Sequence, residues 1–305
     1  MIMSVVSNST AVPTAEEILA PSPTQIMRRK LLGHAGITIG GGVLLVMVFM
    51  AMFAPWIAPF DPFDQDLSRR LIPPIWHDKG TWTHILGTDH FGRDYLTRII
   101  YGSQISLMIG FLAMLISGII GTTMGVAAGY FGGRVDMVIM FFITTRLAMP
   151  VILVALAIVA LIGSSLEIVI LVLGFLIWDR FAIVMRSATM QVRSMDYVTA
   201  ARAVGCSTLR IILSEIMPNI FNALIVVATV EVAHAVLLEA ALSFLGLGVQ
   251  PPSPSWGVMI SEGKGHMLFK PWVVGIPGTA IFLLVLSINL LGDGIRDVTA
   301  PENRN

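Results

Sequence analysis

Three groups of polar side chains in this sequence have types and spacings that chemistry uses. His84, Asp89, His90 and Asp94 fall close together. Imidazole with carboxylate is a ligand set for a divalent metal. The competing reading is structural, because Asp94 and Arg98 stand at i and i+4, the spacing of a helix ion pair. Glu231, His234 and Glu239 lie inside a long apolar run. At about 100° per residue they span an arc of roughly 140° on a helix. Arg146 lies in another apolar run, where a central arginine costs about 2.5–3.5 kcal/mol on insertion scales. Asp179 and Arg180, near the end of a third run, are placed to pair locally or to snorkel. Ionisable groups in such runs face a cavity or the interior of a bundle. For Glu231 and His234 two readings stand: lining a pathway, where they would meet an amine or a carboxylate, or forming a buried hydrogen-bonded pair. An enzyme would need a preorganised nucleophile or metal set. The sequence has no HExxH, no GxSxG and no paired aspartates within an apolar run.

The elements that must hold these groups are set by composition. Of 305 residues, 55% are hydrophobic and 12% are charged, against about 25% charged in soluble domains. The net charge is zero, which offers no basic surface for nucleic acid. Cys206 is the only cysteine, which excludes a disulfide within one chain. A helix needs about 20 apolar residues to cross a bilayer. Six stretches qualify, at 36–58, 106–130, 135–162, 166–185, 220–245 and 272–291. The expected fold is an all-α, six-span integral membrane protein. Arg28, Arg29 and Lys30 precede the first span and place both termini in the cytoplasm by the positive-inside rule. The segment before them is rich in Ser, Thr and Pro and reads as a disordered tail, 1–35. The first span reads as a retained signal anchor, with cleavage near Ala54 as the alternative. Residues 59–104 and 246–271 are then outer loops, and Trp56, Trp76, Trp82, Trp256 and Trp272 fall in or beside them, where indoles favour the interface. The remaining helices form a five-helix core, 105–295, followed by a cytoplasmic tail, 296–305.

Gly121 and Gly125 form a GxxxG pair in the second span. Such pairs serve close packing inside one bundle or against a second membrane subunit. The longest inner loop, 186–218, carries Arg186, Arg193, Arg202 and Arg210 against Asp196 and Glu215. Its stretch from Tyr197 to Asn219 reads as two short helices hinged at Gly205. Asp196 is positioned to cap the first and Ser207 or Thr208 the second, and Pro218 to stop the second. From residue types alone it is a helix pair lying on headgroups or a docking element with a slim alanine face.

That segment resembles the EAA loop of ABC importer permeases. Ala200, Ala201, Gly205 and Pro218 match at the family spacing, with Thr199 in place of the usual Glu and Met217 at a Leu position. Three more stretches resemble the oligopeptide/dipeptide/nickel branch, C-type subunit. They are Leu86-Gly-Thr-Asp89 with Gly92-Arg93-Asp94, Arg98 and Gly102; Glu239-Ala-Ala-Leu-Ser-Phe-Leu-Gly-Leu-Gly248; and Asn289-Leu-Leu-Gly-Asp293 running on to Asp297. The resemblance covers the chain from about residue 36 onward. It implies a type I importer bundle, with Tyr197, Ala200, Ala201, Gly205 and Pro218 coupling to ATPases. It implies structural roles for Asp89, Arg93, Asp94, Arg98, Glu239, Asn289 and Asp293. The implied partners are a homologous B-type permease, two ATP-binding subunits, an extracytoplasmic binding protein and membrane lipid. ATP and Mg²⁺ would sit on the partner subunits, because no G-x-x-x-x-G-K-[ST] loop occurs in this chain. The implied cargo is peptide, with nickel, glutathione-like compounds or opines as alternatives. The family often has an acidic residue just before the position of Arg146, where Thr144 and Thr145 stand. Arg146 is therefore expected to line the pathway with Glu231 and His234 and to favour acidic substrates or peptide C-termini. A channel or secondary transporter would need no docking loop.

Overall fold

The computed structural model describes residues 33–299. The N-terminal tail with Arg28, Arg29 and Lys30, and the end of the chain after 299, lie outside the described residues. Five helices are long and apolar enough to cross a membrane, and a bent pair makes a sixth. They are α1 (Ala35–Met52), α3 (Tyr95–Phe131), the pair α4 (Gly133–Leu147) and α5 (Val151–Ile162), the pair α6 (Leu166–Leu176) and α7 (Asp179–Arg193), α9 (Thr208–Phe244) and α11 (Trp272–Thr299). Short helices α2 (Ala54–Ile57), α8 (Asp196–Ala203) and α10 (Trp256–Gly263) lie between them.

The six expected spans are present, but their ends and straightness differ. Helix α3 starts at Tyr95, not near 106, because Asp94 caps it by accepting from the Thr97 amide. Hydropathy marks only the part of a helix in hydrocarbon; the hydrogen-bond ladder runs on past it. The third span is broken. Its halves meet at 83°, with Ala148, Met149 and Pro150 between them. Proline lacks the amide that would continue the ladder and disfavours helical backbone in the residue before it. The fourth span runs to Arg193, interrupted at Ile177 and Trp178.

Pro218 does not stop its helix. Residues Ile211–Ile216 form a π-helical turn, in which the Met217 amide bonds to the Ile212 carbonyl, and Pro218 falls in the first turn of the α-helical run that follows. The wider turn accommodates a residue that can neither donate nor sit over the carbonyl four places back. The second half of the 197–219 segment is thus the root of α9, a continuous 37-residue helix. Asp196 is likewise not the cap of α8. Met195 holds that position without a side-chain bond, and Asp196 sits in the first turn. Ser207 does cap the following helix, accepting from the Arg210 amide at 3.4 Å.

Helix α3 is the central post. On one side Gly121, Gly125 and Gly129 meet α7 so closely that added Cβ atoms would lie 2.3, 2.5 and 2.7 Å from the carbonyl oxygens of Trp178, Ala182 and Arg186. Gly110 meets Val232 and Val236 of α9 in the same way. The glycine stripe is therefore used within the chain. A Gly121→Leu chain is expected to lose the α3–α7 contact, since backbone blocks the new side chain and overpacking costs about 1–3 kcal/mol or more. A lower melting temperature in detergent checks this; an unchanged one refutes it. Three apolar clusters fill the bundle. One, around Ile109, Val159, Leu173 and Leu242, joins α3, α5, α6 and α9. A second, around Tyr95, Val236, Trp256 and Leu284, joins α3, α9, α10 and α11. The third, around Tyr130, Met185, Val198 and Ile216, sits under α8.

Candidate functional site

At the end of the bundle away from α8, four ionised side chains form a buried knot. Arg98 Nη1 donates to Asp89 Oδ2 at 2.7 Å and to Glu262 Oε2 at 2.6 Å. Arg93 Nε donates to Asp89 Oδ2 at 2.6 Å, and its Nη2 reaches both Glu262 oxygens at 3.0 Å. The turn before α3 is closed by Asp89 Oδ1, which accepts from the amides of Phe91 and Arg93 at 2.8 and 2.9 Å. Asp94 does not pair with Arg98 as the i,i+4 spacing suggested. Its carboxylate faces the Thr97 amide at 2.8 Å and His84 Nδ1 at 2.9 Å. The helix cap takes the aspartate, which frees Arg98 to reach across to α10.

The four residues that could have formed a metal site, for which the structural reading was the stronger, do not converge. His84 belongs with Asp94, while His90 stands with Asp89 and Glu262, their ligand atoms within 4.8 Å of one another. Lone pairs that a cation would use there already accept from Arg93 and Arg98. Burial lowers the affinity of the His90 imidazole for a proton, with Asp89 and Glu262 opposing that effect. The same end is tied down by Glu239, fully buried, whose Oε1 accepts from Ser243 at 2.7 Å and Ser255 at 2.9 Å. Ser255 is the N-cap of α10, so the carboxylate lies at the positive end of that helix. Trp256 completes the joint, donating from Nε1 to the Ile99 carbonyl at 3.0 Å.

A second group lies midway along the spans, at the break between α6 and α7. Arg146 Nε donates to the Leu176 carbonyl at 2.5 Å, and its Nη2 lies 3.4 Å from Asp179 Oδ1. It thus satisfies a carbonyl that the end of α6 leaves open. Glu231 is wholly buried; His234 Nδ1 approaches its Oε2 at 3.1 Å and Arg180 Nη1 its Oε1 at 3.4 Å. The structure brings Glu231 and His234 together and sets Arg146 beside Asp179, one residue from Arg180.

The third group is at the other end. Val198, fully buried, pins α8 onto the cluster of Tyr130 and Ile216. Arg202 and Arg193 lie over the Tyr130 ring at 5.1 and 6.0 Å, within cation–π range. Tyr197 and Ala200 are exposed and Ala201 is half-buried. Gly205 has φ +82°, a left-handed conformation that glycine adopts without strain. Val204 and Leu209, on either side of this hinge, are 82% and 66% exposed. Pro218 stands above it on α9. Asn289 and Asp293 are exposed one turn apart on α11. Their neighbours Gly292 and Gly294 meet Thr229 and Ile37, where Cβ atoms would lie 2.7 and 2.5 Å away.

Sequence reasoning missed Glu262, and it placed Arg180 with local pairing or snorkelling. The signal for Glu262 was its place shortly after Trp256-Gly257, on a short helix that has to face the paired arginines. Arg180 offered no signal beyond its depth in the span.

A bundle of six spans, knotted at one end and carrying an exposed hinged helix at the other, is the architecture of a transporter permease. The chain matches the family described as binding-protein-dependent transport system inner membrane component over residues 121–305, and it belongs to that family. Residues 22–74 match the N-terminal transmembrane domain of oligopeptide transport permease C. It is thus a multi-pass inner membrane protein and a permease subunit. It is 40% identical over 288 residues to the di/tripeptide transport system permease protein DppC of Pseudomonas aeruginosa, covering 94% of this chain and 95% of that one. It is 42% identical over 269 residues to the dipeptide transport system permease protein DppC of Escherichia coli K12, covering 88% and 90%. Among solved structures it resembles an inward-facing form of the MetNI methionine ABC transporter, at 17% identity and TM-score 0.55, covering 66% of this chain and 96% of that one. That likeness shows the fold.

Proposed function

We propose that this chain forms half of the membrane pore of an ATP-driven peptide importer. The observation that carries the reading is the hinged pair α8 and the root of α9. It presents Tyr197, Ala200, Val204 and Leu209 to solvent, and nothing among the described residues covers it. Two ATP-binding subunits dock there, from the cytoplasm, where both termini of this chain also lie. A B-type permease supplies the other half of the pore, and an extracytoplasmic binding protein delivers cargo to the knotted end. This chain is non-catalytic and binds no cofactor; ATP and Mg²⁺ belong to the partners. The names of the relatives support di- or tripeptides as cargo.

The geometry supports a lever. Closure of the ATPases pushes α8, whose Val198 and Arg202 bear on α3 through Tyr130. The same push enters α9 directly at Ser207. Because the π turn keeps α9 continuous, its 37 residues act as one rod of about 55 Å. Along that rod lie Glu231 and His234, which with Arg146 stand beside the pathway, and Glu239, which holds α10. Asp89, Arg93, Asp94, Arg98, Asn289 and Asp293 keep the two ends of the bundle in register.

The test is uptake of radiolabelled dialanine into proteoliposomes. Uptake is expected with all subunits and ATP and not without the ATPases. Uptake that persists without them overturns the importer reading. Nickel or glutathione accumulated in place of dialanine would keep the mechanism and replace the cargo.

A further inference from the structure

The two arginines at the break between α6 and α7 differ in how fully they are engaged. Arg146 has a side chain 14% exposed, with Nε on a helix-end carbonyl. Removing it would open the break. The Arg180 side chain is 53% exposed, although it lies within the fourth apolar stretch, 166–185, just after the break in that span. A guanidinium in a spanning helix turns to a water-filled cavity, a polar partner or the headgroups. Its exposed face therefore meets water or another polar group. Arg180, Ile183, Ser187 and Met190 form one exposed stripe down α7 towards α8, the direction in which an importer releases cargo.

Arg180 is also loosely held. Its one anionic contact is Glu231 Oε1 at 3.4 Å, and that oxygen is buried without a hydrogen-bond partner. The other Glu231 oxygen faces His234 at 3.1 Å. Glu231 thus has a second partner if Arg180 leaves, and Arg180 has no second anionic partner among the described residues. A substrate carboxylate can take the place of Glu231 on the exposed guanidinium while His234 remains on the other Glu231 oxygen.

We infer that Arg180 is the carboxylate-binding group of the pathway: the free C-terminal carboxylate of a transported peptide displaces Glu231 from the exposed guanidinium, and Glu231 stays on His234. This inference rests on the peptide-importer reading. It assigns to Arg180 the carboxylate recognition that position in the sequence alone suggested for Arg146.

The experiment uses the complete reconstituted transporter with saturating binding protein and dialanine, and reads uptake per ATP hydrolysed. Arg180→Gln is expected to lower that ratio about 10-fold or more, the loss of one charge-assisted hydrogen bond. Arg180→Lys is expected to recover a large part of it. An unchanged ratio in Arg180→Gln overturns the inference. So does equal loss in the Gln and Lys variants together with poor assembly, which marks a structural pair. A second arm places Cys at 180 in a Cys206→Ser chain, within the whole complex. Reaction with an anionic, membrane-impermeant thiol reagent, slowed by dialanine during turnover, supports the inference. Absence of reaction in the complex, with reaction in this subunit alone, shows that the second permease covers Arg180 and overturns it. A wild-type complex that moves another solute but no dialanine overturns the peptide reading instead, and with it the cargo assigned to Arg180.

Discussion

An Arg98→Met chain is expected to lose the joint between the outer loop and α10, with a large fall in thermal stability. Arg98 is fully buried, and one nitrogen, Nη1, bridges two carboxylates, Asp89 at 2.7 Å and Glu262 at 2.6 Å. Methionine fills much of the volume but leaves both anions to Arg93. Removing one member of a buried ionic group costs about 3–5 kcal/mol, mostly through the charge left uncompensated. That is a large share of the 5–15 kcal/mol by which folded domains are stable. The damage should spread along a definable route. Glu262 lies on α10, α10 carries Trp256, and Trp256 packs on Gly102 of α3. A melting curve of the detergent-solubilised chain, followed by tryptophan fluorescence, checks this. Arg98→Lys should lie between, since one ammonium can replace Nη1 but not the planar fork. A methionine variant that melts with the wild type would show that the knot contributes nothing net.

A Val198→Asp chain is expected to stay in the membrane and lose its ATPases. Val198 is fully buried under α8, in the cluster of Tyr130, Ile211 and Ile216. A carboxylate there is taken out of water into a cluster of mainly aliphatic side chains, and burying a poorly paired charge costs several kcal/mol. α8 is eight residues long, too short to remain helical without packing. It should therefore peel from the bundle and take the Arg202–Tyr130 contact with it. The spans have their own apolar clusters and should remain. Co-purification from membranes would show this subunit and its permease partner without stoichiometric ATPase, and ATP-driven uptake would be absent. Val198→Ala, which leaves only a small cavity, should lose far less. Full retention of the ATPases by Val198→Asp would place docking somewhere other than α8.

Much of this was legible from residues in order. The six apolar stretches appear as six spans because the bilayer demands length and hydrophobicity, and both are written locally. The family motifs were equally plain. They marked Asp89, Arg93, Asp94, Arg98 and Glu239, which are buried in the fold, and Asn289 and Asp293, which are exposed. Helix ends were less legible. Polar first turns such as Asp94 to Arg98 continue a ladder that hydropathy does not register. Pro150 and Pro218 show the limit most clearly. Each is a proline in a helical stretch; one stands at an 83° bend, the other follows a π turn inside a continuous helix. Local propensity is similar at both, and what differs is packing. Ile211 and Ile216 are held in the cluster under α8, which keeps the rod in line through the wider turn.

Ion pairing was decided entirely in three dimensions. Asp94 and Arg98 have the spacing of a helix pair, yet the cap claims Asp94, and Arg98 turns to Glu262, far away in the chain. Arg146 and Arg180 both read as charges in hydrocarbon. One seals a helix break and the other is left half exposed, a difference set by where α4 and α9 pass the break. The sequence by itself therefore determined the solvent this protein lives in, its number of crossings and its family, because each rests on composition, length or short-range spacing. Only the tertiary structure decided which charge meets which and which arginine remains half exposed. Coulomb and hydrogen-bond partners are chosen by distance in space, and helices packed at glycine contacts bring together residues that the sequence keeps far apart.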